Sequence, residues 1–344
     1  MRIGIAGVGK LGEFHTGLLK EIASAMPDVE FSGVFDLSRE RLQEIGRKYS
    51  VRCFSSLEEM AASCDAVVIS TTTSSHYAIA RQLLEAGLSL FIEKPITATL
   101  EEADELIRLE KEKGLMIQVG HIERFNPALL AVEPYIGEPM YIQAERLSGF
   151  SRRVTDVSVV LDLMIHDIDL VLSMIKSDIR SVAASGVKVF SNELDMATAR
   201  IEFENGAIAN VTASRLSRSR QRKLRFFSKN PKSYASLDFT NGKSEVFRLV
   251  KPEQLSSKNP IKNFASKMIL EQFGEIQESL KDLVLDYVSP DVPKVNALKV
   301  ELEHFINALR TGRPAVVTSA AGRKALMVAG CITREIQKNT ADLD

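Results

Sequence analysis

The stretch Arg2-Ile3-Gly4-Ile5-Ala6-Gly7-Val8-Gly9-Lys10-Leu11-Gly12 opens the chain and decides its fold. Ile3 to Ala6 is a short apolar run of the kind that makes a buried strand. Glycines follow at 7, 9 and 12, and Phe14, Leu18, Leu19 and Ile22 then recur at helical spacing through about Ala25. A glycine fingerprint between a strand and a helix predicts a dinucleotide-binding turn. Gly7 makes the tight turn, Gly9 lets the backbone approach a pyrophosphate, and Gly12 allows the helix to pack close on the strand. The helix N-terminus, entered at Lys10 and Leu11, offers N–H groups and a partial positive charge to the phosphates.

The next strand supports this reading. Glu30 to Phe35 ends in Asp36, 24 residues past Gly12, close to the spacing of a ribose-binding carboxylate. An acid there accepts from both adenosine ribose hydroxyls and repels a 2′-phosphate. Two alternatives stand beside it. Asp36 can cap the helix from Ser38, and Arg39 can accept a 2′-phosphate.

Strand and helix continue to alternate, which predicts a parallel sheet with helices on both faces. Val51–Phe54 is expected as a short third strand and Asp65–Ser70 as the fourth, followed by Thr71, Thr72 and Thr73. Ser75–Ala86 is helical, and His76 near its start either lines the cofactor site or caps and packs. Leu90–Ile92 is a strand that stops at Glu93-Lys94-Pro95. Ligands of an open α/β sheet sit beyond the carboxyl ends of its strands, so Lys94 there faces whatever the sheet binds. A plain surface turn is the alternative. Thr99–Lys113 is a charged helix and Leu115–Val119 the sixth strand. His121, Arg124 and Asn126 follow in a loop that either serves the site or only starts a helix at Pro127.

Beyond this point the pattern changes. Pro139–Arg146 reads as a strand, and Asp156 through Ile175 as an apolar helix. Asp162 and His166, four apart, share a face of that helix, with Asp169 near the same stripe. Acid and histidine in such a helix are either a structural pair or an acid/base pair. A metal site is a third reading, but no other ligand cluster accompanies it. Six candidate strands follow, Ser181–Phe190, Ala197–Phe203, Ala207–Ala213, Arg222–Ser228, Ser233–Phe239 and Ser244–Val250, with hairpin signals at Asn205-Gly206 and Asn241-Gly242. Between Arg215 and Lys232 lie eight Lys or Arg and no acid, read as a solvated face with one or two cations available to an anion. An amphipathic helix is expected from about Phe264 to Leu283, and two more at Val295–Leu309 and Ala320–Gln337.

Composition narrows the function. A net charge of -1 argues against a general role on nucleic acid or at a membrane surface. Cys53, Cys64 and Cys331 lie far apart, as in a reduced cytoplasmic protein without a disulfide framework. The chain starts directly in a strand, so a signal peptide is not expected.

The Gly7–Gly12 fingerprint, Glu93-Lys94-Pro95, Arg124-Phe125-Asn126-Pro127 and the Asp162…His166 helix fall in the order of the Gfo/Idh/MocA oxidoreductases, which the chain resembles over nearly its whole length. It departs at Thr73, where many members carry proline. The resemblance implies a Rossmann domain at 1–121. It implies a substrate-binding and oligomerisation domain at 122–344, with an open, mainly antiparallel sheet and last helices free to pack back on the first domain. It also implies NAD, with NADP possible, and no metal. Lys94, Asp162 and His166 would be catalytic. Gly7, Gly9, Lys10, Leu11, Gly12, Asp36, Arg39, Thr71, Thr72, His76, Glu93 and Lys94 would hold the cofactor, and Arg124, Asn126, Arg152 and Arg153 the substrate. The substrate implied is a sugar or nucleotide sugar, with the 3-hydroxyl of a UDP-linked N-acetylhexosamine best matched. Another sugar or a cyclitol is the alternative, and a non-catalytic cofactor-responsive binding protein a further one. A homodimer or homotetramer through the second sheet, and a cis Lys94–Pro95 bond, are expected on the same footing.

Overall fold

A computed structural model describes residues 1–149, 157–256 and 282–341, which fall into two compact units. The first comprises Met1–Phe125 and Val295–Met327. The second comprises the described residues of Asn126–Lys294 and of Val328–Asp344.

The first unit is built on five parallel strands, β1 (Arg2–Ala6), β2 (Glu30–Phe35), β3 (Ala66–Ile69), β4 (Ser89–Glu93) and β5 (Ile117–Gly120), in the order β2-β1-β3-β4-β5. The connecting helices are α1 (Lys10–Ala25), α2 (Arg39–Tyr49), α3 (Leu57–Ser63), α4 (Thr73–Glu85) and α5 (Leu100–Lys113). Their ends follow local chemistry. Ser38 caps α2, Ser56 caps α3, and Thr99 with Glu102 forms a reciprocal capping box on α5, which stops at left-handed Gly114.

The expected strand at Val51–Phe54 is not one. Only Cys53 bridges Val34, flanked by Val34 N–H to Arg52 O and Phe54 N–H to Val34 O, each 2.9 Å. The chain then leaves for α3, because the Glu59 carboxylate takes the Ser55 N–H and Ser56 becomes a cap. The strand counted fourth in the sequence is therefore β3.

Two helices late in the sequence follow, α8 (Ala297–Thr311) and α9 (Ser319–Ala341), once the short helix α6 (Pro127–Val132) and α7 (Ile165–Met174) of the second unit have been passed. Leu302, Phe305 and Ile306 of α8 join one buried cluster with Ile3, Ile5, Val8, Leu19, Val68 and Phe91. Gln118 of β5 donates to Glu301 O at 3.2 Å, and Arg323 forms an ion pair with Asp104.

The second unit holds, among the described residues, an eight-stranded sheet. Its strands are β6 (Pro139–Leu147), β7 (Ile179–Val187), β8 (Met196–Phe203), β9 (Ile208–Ser214), β10 (Gln221–Ser228), β11 (Ser233–Asp238), β12 (Lys243–Val250) and β13 (Val284–Val288). Their order is β13-β12-β11-β10-β6-β9-β8-β7, antiparallel throughout except where β6 runs parallel to β9. Ile142, Ala144 and Arg146 of β6 are buried on the side covered by α7, while Tyr141, Gln143 and Glu145 face the other way. On that second face Tyr141, Phe227, Tyr234, Phe247 and Tyr287 stand in register on five neighbouring strands. Their ring centroids are 4.9–6.2 Å apart from one to the next.

Three sequence expectations change here. The helix read from Asp156 begins, among described residues, as a π-turn over Val160–Met164, where the Ile165 N–H reaches back five residues to Val160 O. The spacing assumed for Asp162 and His166 is thus interrupted. Arg215 is not on a solvated face. It is 3% exposed and bound to Asp195 at 2.9 Å, with further bonds to the carbonyls of Val157 and Leu194. The helix expected over Phe264–Leu283 lies outside the described residues except for Asp282 and Leu283, which are not helical, and β13 was not anticipated.

Burial alone would raise the Asp195 pKa. The Val189, Phe190 and Ser191 N–H groups and the Ser191 hydroxyl outweigh it and hold the group well below the usual carboxylate range. Asp195→Ala removes the acceptor of all of these and of Arg215. It is expected to cost about 3–5 kcal/mol, the scale for breaking a buried pair, read by urea denaturation.

Candidate active site

The glycine turn is fixed from three sides. Gly7 sits at φ +90° and its N–H donates to Phe35 O at 2.8 Å. Ser70, just past β3, donates its hydroxyl to Gly7 O at 2.7 Å. Arg41 of α2 donates Nε to Val8 O at 2.8 Å and pairs with Glu13 of α1. A Cβ on Gly12 would lie 1.9 Å from Gly7 O, so only glycine fits, whereas around Gly9 there is open space. Gly9 caps α1 without a side chain, which leaves first-turn N–H groups for a ligand. Lys10 and Leu11 are exposed in that turn. A pyrophosphate fits this arrangement of open backbone donors at a helix N-terminus.

Asp36 is tied into the same turn. Its Oδ2 accepts from Val8 N–H and its Oδ1 from Ser38 N–H, each 2.8 Å. Arg39 is exposed in the first turn of α2. Thr72 stands at the N-cap position of α4 without a side-chain capping bond, and the Ser75 hydroxyl lies 2.9 Å from Thr71 Oγ1. His76 is buried with Nδ1 2.9 Å from Pro95 O and Nε2 3.2 Å from Thr71 O. Its ring thus braces backbone on either side.

At the end of β4, Glu93 is buried and meets His15 of α1 at 2.7 Å. Room for its carboxylate comes from Gly120, its partner on β5, where a Cβ would stand 2.8 Å from Glu93 Oε2. Lys94 is half-buried, and the Lys94–Pro95 peptide is cis, as expected. Arg124 is half-buried in a 3-10 turn over Ile122–Phe125. Asn126 accepts from Ala128 N–H at 3.1 Å and so caps α6, with Pro127 in its first turn. Sequence reading passed over His15 and Glu123, both buried near these strand ends, and His121, which it placed in the loop after the last strand, is buried there too. The signal for His15 was present, three residues past the last fingerprint glycine and on the inner face of α1.

In the second unit, Asp162 lies in the π-turn and His166 in the first turn of α7, both half-buried. Asp167, next to His166, is buried and held by Arg146 of β6 through two bonds of 2.8 Å. Asp169 is buried on the same helix. Arg152 and Arg153 lie outside the described residues.

Comparison with known proteins decides the family. Residues 1–121 match the model of the oxidoreductase family with an NAD-binding Rossmann fold, and residues 133–230 match the GFO/IDH/MocA C-terminal domain. The chain is 35% identical over 330 residues to UDP-N-acetylglucosamine 3-dehydrogenase of Acidithiobacillus ferrooxidans, covering 96% of this chain and 95% of that protein. The chain belongs to the Gfo/Idh/MocA oxidoreductase family. A solved structure of that Acidithiobacillus enzyme superposes with a TM-score of 0.83 at 34% identity, over 98% of each chain. A second relative, scyllo-inositol 2-dehydrogenase (NAD(+)) of Bacillus subtilis, is 30% identical over 243 residues, 63% of this chain and 68% of that protein. Residues 1–121 are accordingly the NAD-binding Rossmann domain of a dehydrogenase. Among the described residues no helix is long and apolar enough to cross a membrane.

Burial pushes the His76 imidazole below its ordinary value of 6.5, against the pull of the Pro95 and Thr71 carbonyls. Just below that pH the unfolded chain binds a proton at His76 that the folded chain does not, so stability falls as pH drops. Between about pH 7.5 and about pH 5.5 the wild-type Tm is expected to fall further than that of His76→Asn.

Proposed function

We propose that this dehydrogenase oxidises the 3-hydroxyl of a UDP-linked N-acetylhexosamine. The observation that carries the reading is length of likeness. Similarity to the UDP-N-acetylglucosamine enzyme runs through 95% of that protein, both domains included, whereas similarity to scyllo-inositol 2-dehydrogenase covers 68% of that one. A cyclitol is the second reading, supported by the 30% identity of that shorter match. The three well-separated free cysteines suit a cytoplasmic enzyme.

NAD, when bound, supplies the hydride acceptor. The chain's own residues hold it and handle the proton. Gly7, Gly9 and Gly12 with the first turn of α1 take the pyrophosphate, and Asp36 takes the adenosine ribose. Lys94 donates to the substrate oxygen and stabilises its alkoxide character. His166 takes the hydroxyl proton, since an imidazole can be neutral at working pH. Asp162 orients His166 or holds a neighbouring hydroxyl. Arg124, Arg152 and Arg153 supply positive charge for the diphosphate, and Asn126 a polar contact.

Lys94→Ala and His166→Ala are each expected to lower kcat by about 10²-fold with UDP-N-acetylglucosamine and NAD, followed by NADH absorbance. Normal turnover in both variants would discard the mechanism. NAD is expected to bind more tightly than NADP, because Asp36 would face a 2′-phosphate. Titration of both cofactors tests this, and Asp36→Ala should narrow the gap.

Copies of the chain associate through the face of the eight-stranded sheet opposite α7. The aromatic row across β6, β10, β11, β12 and β13, with Phe227 47% exposed, supports this. Light scattering at micromolar protein is expected to report at least a dimer, and Phe227→Lys to shift it toward monomer.

A further inference from the structure

Lys94 stands between two residues that are each anchored from a different helix. Glu93, before it, meets His15 of α1 at 2.7 Å. Pro95, after it, offers its carbonyl to His76 Nδ1 of α4 at 2.9 Å. Both imidazoles are essentially buried, at 0% and 1% exposure. An ionised carboxylate only accepts, so His15 Nε2 carries the proton of its contact. Among the described residues His15 Nδ1 is buried without a hydrogen-bond partner, so there Glu93 is the ring's polar tie. The ring also packs edge-on against Phe91, two residues earlier on β4, with centroids 5.6 Å apart. The other nitrogen of His76 lies 3.2 Å from Thr71 O, and since a neutral imidazole carries one N–H it donates to one of the two carbonyls, Pro95 O being the nearer.

The two helices approach from opposite sides. The chain runs β1–α1–β2 toward one edge of the sheet and β3–α4–β4 toward the other. Right-handed crossovers in opposite directions put their helices on opposite faces. The corner Glu93-Lys94-Pro95 is thus gripped from above and below the sheet.

We propose that His15 and His76 are positioning residues that fix the direction of Lys94 by holding its two chain neighbours from opposite faces of the five-stranded sheet. The proposal rests on the role given to Lys94 above. It assigns the histidines no contact with substrate. His15 also ties β4 to the helix that begins at the pyrophosphate turn, so the lysine and that turn are set by one rigid element.

The test has two arms. In the first, cofactor-free protein is treated with an amine-acylating reagent and modification of Lys94 is followed by peptide mass spectrometry. His15→Phe keeps a ring but removes the donor, and His76→Leu keeps an apolar side chain of similar volume but removes both ring nitrogens on the other face. Each is expected to raise the Lys94 labelling rate at least about threefold, as a loosened segment opens more often. His15→Gln and His76→Asn, which restore an N–H, are expected to return it toward wild type. In the second arm, turnover of UDP-N-acetylglucosamine is measured for each variant alone and combined with Lys94→Ala. His15→Phe is expected to lower kcat about tenfold or more with little change in KM, and to lower it no further once Lys94 is gone.

Unchanged labelling in both donor-less variants, or an undiminished loss in the Lys94→Ala background, would overturn the proposal. If the substrate assignment is wrong, the wild type itself fails to turn over, and the labelling arm still decides. If His15→Phe does not fold, His76→Leu with its Asn rescue carries the same comparison.

Discussion

The first unit depends on the space in which Gly12 has no side chain. Helix α1 lies so close to the turn after β1 that any Cβ there would collide with Gly7 O. That closeness lets one short turn collect bonds from three directions. Phe35 and Asp36 reach it from the end of β2, Ser70 from the end of β3, and Arg41 from α2. The ends of the strands are therefore held to one another through the backbone of residues 7 and 8. The open donors of α1 point from that fixed base, so a cofactor meets a prepared surface and pays little to order it.

In the second unit the organising contacts are buried ion pairs. Arg146 with Asp167 joins the sheet to α7, and Arg215 with Asp195 closes the loop between β7 and β8. Such pairs add little net stability over a well-packed apolar substitute. They are costly when mismatched, so they select one register. Arg146 is on the inner face of β6 and Asp167 beside His166, so a slip of β6 by one residue would expose the arginine and strand the acid.

Most of the first sheet could be read because its signals are local. Apolar runs of four to six residues, glycine stops and Ser or Thr caps repeat with the period of the structure. The glycine turn and the cis peptide after Lys94 were likewise legible. What escaped depends on contacts distant in sequence. Val51–Phe54 has strand composition but lacks a neighbour beyond one residue of β2. The π-turn before α7 leaves no mark in hydrophobic spacing, since Val159–Ile165 is apolar at every position but Asp162 and shows no period to break. Arg215 looks like its basic neighbours until Asp195 is brought 2.9 Å away. The His15–Glu93 contact spans 78 residues, and neither residue type announces the other.

The first unit is discontinuous, and that bears on how the protein emerges during synthesis. Its core is shared between β1, α1, β4 and the side chains of Leu302, Phe305 and Ile306. When residue 125 has left the ribosome, the apolar side chains that α8 will cover are still bare. They remain so through some 170 further residues, until Val295–Met327 is made. At about 5–20 residues per second this is a wait of roughly ten to thirty seconds. Through that interval the nascent nucleotide domain is a sticky half-core, a natural client for a chaperone, and the last helices act as its latch.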